Sequence, residues 1–280
     1  MIRNYRSEQL REVFEDTRAF IEETPALKHA EQYGIEHTVF IPENEYPIIP
    51  EQQKKRAGEI RISKYRTLQS ARYLHREYPG QKIAVLNFAS AVKPGGGVLT
   101  GARAQEESIC RCSTLYEALN QKRMRELYYD VNAEKGDPLY TDACIYTPDV
   151  MVCKTDTELP ERLSPEEFCR VDIVTCAAPR LLEGLCRDER ETPEELEKLY
   201  LRRIHHILHV MAAKDAEIVI LGAFGCGVFH NNPALVASAF ESVLGMYGPW
   251  FDLVEFAVFC NEGAMENYNV FRRFFGSAQE

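Results

Sequence analysis

Apolar positions along the chain alternate between two periods. Over residues 8–23, Leu10, Val13, Phe14, Phe20 and Ile21 recur at helical spacing and predict a helix. "HTVFIP" (37–42) reads as a short strand, followed by a proline-punctuated loop. Ser63 is placed to cap a helix running to about Tyr78, with Pro79-Gly80 as its stop. From Gln81 onward, short apolar runs bounded by turn residues take over. "KIAVLNFA" (82–89), "VDIVTCAAP" (171–179), "AEIVIL" (216–221) and "LVEFAVFC" (253–260) each carry the mark of a buried strand. "ACIYTPDVMVCKT" (143–155) reads as two short strands around Pro148-Asp149.

Helical segments lie between these strands. Ser108 to about Asp130 predicts one long helix. Thr192-Pro193-Glu194-Glu195 is a capping box with proline at the first helical position, opening a helix to about Ala213. Asn232-Pro233 opens another, and a short helix through Phe271 and Phe275 closes the pattern. Strands this apolar need cover on both faces. The expected fold is a three-layer α/β/α domain with a mixed or mostly parallel central sheet over residues 81–280. Residues 1–80 read as a largely helical N-terminal extension packed on it.

Composition narrows the partners. The net charge is −10, and Lys and Arg are interspersed with acids, so sequence-independent nucleic-acid binding is not expected. No apolar run reaches the roughly 18 residues of a membrane span. The first residues are charged and periodic, unlike a signal peptide, and the expected location is cytoplasmic. Nine cysteines scattered through apolar segments read as free thiols in a reducing compartment.

Two glycine-rich turns each follow a buried strand and lead into a helix: Gly95-Gly96-Gly97, and "GAFGCG" (222–227). Helix N-termini offer unpaired N–H groups and a positive dipole end, which suit phosphate. "GAFGCG" has the wrong order for a dinucleotide fingerprint, and Gly96 to Gly101 lacks the lysine and hydroxyl of an ATP-binding P-loop. Ordinary tight turns explain some of these glycines. Three in a row suggest that something bulky approaches the main chain, because each costs more backbone entropy than any other residue. Glu106 and Glu107 stand where the next helix begins. Complementing its dipole, typically about 0.3–1 kcal/mol, accounts for one acid but not for two behind a triple-glycine loop.

"GGGVLTGARAQEE" (95–107) resembles the GGG-spacer-QEE signature of bacterial-type poly(ADP-ribose) glycohydrolases, and "LNFASAVKPGGG" and "GAFGCGVFHNNP" resemble that family's other loops. The likeness spans most of residues 80–275. It implies a macrodomain fold and a glycosidase that cuts ribose–ribose O-glycosidic bonds of poly(ADP-ribose), with ADP-ribose as product and no cofactor or metal. It further implies Glu107 as catalytic acid, Glu106 as the acid orienting the ribose, and Gln105 as a brace for the loop. Gly225, Cys226, Gly227, Val228 and Phe229 correspond to the diphosphate loop, with Phe229 near the scissile ribose. Asn87 corresponds to a ribose-contacting asparagine, although capping a strand end serves it equally well. Gly95, Gly96 and Gly97 complete the ligand-binding set. Pro179-Arg180 departs from the Pro-Asn expected after "CAAP". An ADP-ribosylated protein cleaved by a mono-ADP-ribosyl hydrolase, and a reader that binds ADP-ribose without cutting, are the alternatives.

Retaining and inverting glycosidases generally flank the bond with two carboxylates about 5–10 Å apart. Adjacent Glu106 and Glu107 are badly placed to flank anything, which favours a single-glutamate scheme. His205 and His209, at i and i+4, have metal-ligand spacing but lack the H-E-x-x-H pattern, so histidines on an ordinary helix are the expectation.

Overall fold

The computed structural model describes residues 2–50, 58–181 and 192–276. Its order is α1 (Ile2–Glu23), α2 (Pro25–His37), β1 (Val39–Ile41), β2 (Glu59–Ser63), α3 (Thr67–Glu77), β3 (Ile83–Phe88), α4 (Gln105–Cys112) and α5 (Tyr116–Asn120). There follow α6 (Lys122–Met124), a π turn (Arg125–Tyr129), α7 (Asp130–Lys135), β4 (Cys144–Val152) and β5 (Cys169–Cys176). The chain ends with α8 (Pro193–Ala213), β6 (Ile218–Leu221), α9 (Pro233–Tyr247), β7 (Leu253–Ala257) and α10 (Glu266–Phe275).

The strands form one seven-stranded sheet in the order β1-β4-β5-β3-β6-β7-β2. Pairings β1–β4 and β4–β5 are antiparallel, and all others are parallel, so the sheet is mixed as expected. Side chains of β3 alternate between its faces. Ala84 and Leu86 join a core with Ile204 and Leu208 of α8, Phe240 of α9 and Phe271 of α10. Ile83 and Val85 join the opposite core with Phe14 of α1, Leu68 of α3 and Ile109 of α4. Both faces are therefore dry, which is why these strands read as unbroken apolar runs.

Residues 1–80 carry three helices and also both edge strands, β1 and β2, so they complete the sheet as well as packing on it. Three local expectations change. Residues 143–155 hold one strand rather than two. It kinks between Thr147 and Val150, where Asp149 takes φ 53° and donates its N–H to Asp172 Oδ1 at 3.0 Å. Such an irregularity is where a strand tolerates proline. Ser63 ends β2 instead of capping a helix; α3 begins at Thr67, and Asp156 Oδ2 accepts the Leu68 N–H at 3.0 Å. The long helix expected from Ser108 begins earlier, at Gln105, and breaks after Cys112. There Thr114 N–H bonds Met151 O and Cys153 N–H bonds Cys112 O, so the chain leaves the helix to pair with the end of β4.

Candidate active site

Strands β5, β3, β6 and β7 are consecutive and parallel, so their C-terminal ends lie at one edge of the sheet, where ligands of open α/β folds bind. A cavity of about 610 Å³ opens there. Phe88–Ser90 after β3, Ala178 after β5, the loop after β6 and Val258-Phe259 after β7 all line it. The two glycine loops leave neighbouring strands, β3 and β6, and meet across this cavity.

The first turn of α4 carries the acids inward. Gln105 locks the helix start to the strand: its Oε1 accepts the Phe88 N–H at 2.8 Å, and its Nε2 donates to Leu86 O at 2.8 Å and Thr67 Oγ1 at 3.1 Å. Glu106 is buried, and its Oε2 accepts the Ser90 N–H at 2.7 Å. Burial pushes its carboxyl well above the usual carboxylate range and the Glu107 charge adds to this, while donors from Ser90, Asn87 and Gly95 pull the other way. Glu107 is buried too. Its Oε1 accepts the Gly97 N–H at 2.8 Å, whereas its Oε2 is buried with no hydrogen-bond partner among the described residues.

The three glycines answer to these acids before any ligand. A Cβ at Gly96 (φ 58°) would stand 2.5 Å from Glu107 Oε1 and 3.0 Å from Glu106 Oε2. Both carboxylates thus converge on one side of a single glycine instead of facing each other across a gap. A Cβ at Gly97 would meet Ala102 Cβ at 2.7 Å. Gly95 (φ 65°) is pressed against the Tyr116 ring, away from the cavity wall. The expected bulky neighbour is largely the protein's own helix and its acids.

In the second loop, Gly225 (φ 77°) has no room for a Cβ, which would lie 2.5 Å from Ala178 Cβ and 2.7 Å from Asn231 Nδ2. Around Gly227, by contrast, a Cβ would meet nothing within 4 Å. Asn231 ties the loop down through Nδ2 to Pro179 O at 2.7 Å and Gly225 O at 3.0 Å. Inside the loop, Cys226 N–H bonds Ala223 O and His230 N–H bonds Gly227 O. The N–H groups of Gly227, Val228 and Phe229 have no hydrogen-bond acceptor among the described residues. Successive free N–H groups make an anion-binding concavity.

Gly225, Gly227, Val228 and Phe229 line the cavity, as do Gly96, Gly97, Gln105, Glu106 and Glu107. Gly95, Asn87 and Cys226 do not. Asn87 lies beneath Glu106, with Nδ2 3.1 Å from Thr175 Oγ1 and 3.5 Å from Glu106 Oε1. Burial pushes the Cys226 thiol up to about 12, the wrong direction for a nucleophile. Arg180 is exposed and donates its N–H to Pro138 O, away from the cavity. Tyr268 and Phe271 are likewise off the wall, Phe271 being wholly buried.

Among the wall residues that escaped the sequence reading are Phe259 and Asp156. Phe259 is half-exposed at the end of β7, with the Arg66 guanidinium 3.9 Å from its ring centre. Asp156 joins the N-terminus of α3 to Ser108 Oγ, which donates to its Oδ1 at 2.7 Å. Neither carries a local motif.

The histidines of α8 strap the 43–50 loop. His209 Nε2 bonds Pro47 O at 2.7 Å, His206 Nε2 bonds Glu45 O at 3.0 Å, and Tyr247 Oη bridges His205 and His209. Among the described residues no group of three or more metal-ligating side chains occurs. The cysteines among them are all free thiols, and none of the described helices is long and apolar enough to cross a membrane.

Residues 12–155, about half of the chain, match the family model for the catalytic domain of microbial-type poly(ADP-ribose) glycohydrolase. The solved structure of poly(ADP-ribose) glycohydrolase from Thermomonospora curvata is similar with a TM-score of 0.83 at 31% identity, covering 96% of this chain and 100% of that one. That enzyme bound to the inhibitor ADP-HPD gives 0.80 at 30% identity, covering 95% and 99%. The enzyme from Deinococcus radiodurans in complex with ADP-ribose gives 0.75 at 34% identity, covering 89% and 98%. No curated protein matches the chain. The chain belongs to the family of microbial-type poly(ADP-ribose) glycohydrolases.

Proposed function

We propose that this cavity hydrolyses the ribose–ribose O-glycosidic bond of poly(ADP-ribose) and releases ADP-ribose, with Glu107 as the acid. The observation that carries this reading is the divided environment of Glu107. One oxygen is held by the Gly97 N–H, and the other is buried with no partner among the described residues. A reader module has no need of such an oxygen.

The successive free N–H groups of Gly227, Val228 and Phe229 take the diphosphate, which fixes the ribose over α4. Phe259 offers its ring to the adenine. Glu106, held from behind by Ser90, orients the ribose hydroxyls. Protonated Glu107 gives its Oε2 proton to the bridging oxygen. That oxygen leaves with the bond's electron pair, and the ribose carbon becomes an oxocarbenium-like centre stabilised by the diphosphate. Glu107, now a carboxylate, takes a proton from water as that water attacks the carbon. The acid is thereby restored for the next cycle, and a single glutamate serves as acid and then base.

Incubation with poly(ADP-ribose) and, separately, with a mono-ADP-ribosylated protein tests the reading, the products being resolved by chromatography and mass spectrometry. Free ADP-ribose accumulating from the polymer is the expected result. Release from the mono-modified protein alone would assign the site to a mono-ADP-ribosyl hydrolase. Binding of ADP-ribose with no release from either substrate would make the protein a reader.

A further inference from the structure

The chain carries a net charge of −10, yet its substrate is a polyanion with a diphosphate in every unit. The free N–H groups of the 225–229 loop account for one diphosphate. The cavity wall also holds three cations, Arg66, Lys93 and Arg103. Arg66 is already engaged, bonded to Glu158 and stacked on Phe259. Lys93 and Arg103 are exposed, and neither side chain has an acidic or hydrogen-bonding partner among the described residues.

The nearby acids do not neutralise them. Glu106 and Glu107 are turned inward onto the backbone N–H groups of Ser90 and Gly97. Lys93 and Arg103 stand at the two ends of the glycine loop whose Gly97 N–H holds Glu107 Oε1. Lys93 O accepts the Gly96 N–H at 3.0 Å, and Ala102, next to Arg103, closes the loop through its N–H to Gly97 O at 3.1 Å. Arg111 clamps that end by donating to Ala102 O at 2.6 Å. Two cations without a partner among the described residues thus flank the segment that holds Glu107 Oε1, on a loop separate from the 225–229 loop.

We propose that Lys93 and Arg103 form the subsite for the phosphates of the leaving polymer unit, and so favour a polymer over a substrate with a single diphosphate. This rests on the glycohydrolase reading above. Exposed cations of this kind contribute little each, so their effect appears in capture of the polymer and is screened by salt.

The test compares two substrates of the wild type and the double variant Lys93→Gln/Arg103→Gln. One is poly(ADP-ribose), and the other is an aryl glycoside of ADP-ribose, which has no second diphosphate. At low salt the double variant should lose roughly tenfold in kcat/KM on the polymer, chiefly through KM, with a flatter salt dependence. Its kcat/KM on the aryl glycoside and its Kd for ADP-ribose should stay at wild-type values. The charge-keeping pair Lys93→Arg/Arg103→Lys should restore polymer cleavage, which a merely structural role would not require. Parallel losses on both substrates would overturn the proposal by placing the cations on the bound unit. Unchanged polymer kinetics would overturn it by leaving them without a partner. A wild type that cleaves the aryl glycoside but not the polymer would instead defeat the glycohydrolase reading itself.

Discussion

Glu106 and Glu107 are adjacent in sequence and chemically unalike. Glu106 is fully enclosed, its oxygens taken up by Ser90 and Asn87, and burial favours its neutral form. Glu107 spends one oxygen on Gly97 and keeps the other without a partner among the described residues. Glu107→Gln preserves the shape, and its side-chain oxygen can still accept from Gly97, so only the transferable proton is lost. General acid–base catalysis typically supplies about 10²–10⁴-fold, so polymer turnover should fall at least about a hundredfold while the Kd for ADP-ribose, read by calorimetry, holds. Near-wild-type turnover would remove Glu107 from the role. Glu106→Gln should impair binding as well, because it disturbs the ribose seat. Gly96→Ala is a sharper probe of the loop. Its methyl would sit 2.5 Å from Glu107 Oε1 at φ 58°, a left-handed conformation that costs an L-residue about 1–2 kcal/mol. Turnover in Gly96→Ala should drop through a displaced Glu107; full activity would show that the loop tolerates a different path.

The two glycine loops look alike as strings but differ as elements. The first folds back on its own helix, and the second leaves three N–H groups without an acceptor among the described residues, on residues that line the cavity. Gly227→Val exploits this difference, since a Cβ there meets nothing in the protein itself. The variant should keep its thermal midpoint and bind ADP-ribose at least about tenfold more weakly, a loss of about 1.4 kcal/mol. Equal affinities would move the diphosphate elsewhere. The central strands were legible because both of their faces are dry, leaving an unbroken apolar run at 82–89 and 171–179. Edge strand β2, "EIRIS", was missed because its charged positions face outward, with Arg61 paired to Glu59 and Glu77. Helix α2 was missed because it buries small residues, Ala30 and Gly34, beside Leu27 and so shows little stripe. The break at Ser113 comes from a distant partner, the end of β4, which no local pattern reports. The acids and both glycine loops were legible as a motif. The reason for Gly95, a ring contributed by Tyr116, was not, nor was the support behind that ring from Phe14 of α1, 5.0 Å away. Helix α1 therefore braces the 95–97 loop from behind, with Thr17 Oγ1 donating to Arg111 O at 2.6 Å.

Across the whole molecule, several buried carboxyls set how stability responds to pH. Burial raises Glu106, Glu31, Asp156 and Glu255, with Glu31 pushed to about 7 by burial and by the neighbouring Glu117 and Glu22. A carboxyl raised in the folded state binds its proton more tightly there than in the unfolded chain. Its favourable contribution is complete below the unfolded value and is lost as pH rises through the folded one. For Glu31 that window runs from 4.5 to about 7. Asp16 works in the opposite sense: hydrogen bonding to Arg162 lowers it to about 2, so its contribution is present above 3.8 and is lost as pH falls towards 2. The two trends meet on the acid side of neutrality. Thermal denaturation of the ligand-free protein should therefore give its highest midpoint near pH 5, declining steadily towards pH 8. Glu31→Gln removes one titrating group without touching the cavity, and it should flatten the decline between pH 4.5 and 7 while leaving polymer turnover intact. Glu106→Gln should likewise flatten the decline above pH 4.5, because burial and the neighbouring Glu107 charge raise the carboxyl it replaces. A midpoint that rises from pH 5 to 8, or a Glu31→Gln profile parallel to wild type, would show that these carboxyls ionise in the folded protein without cost.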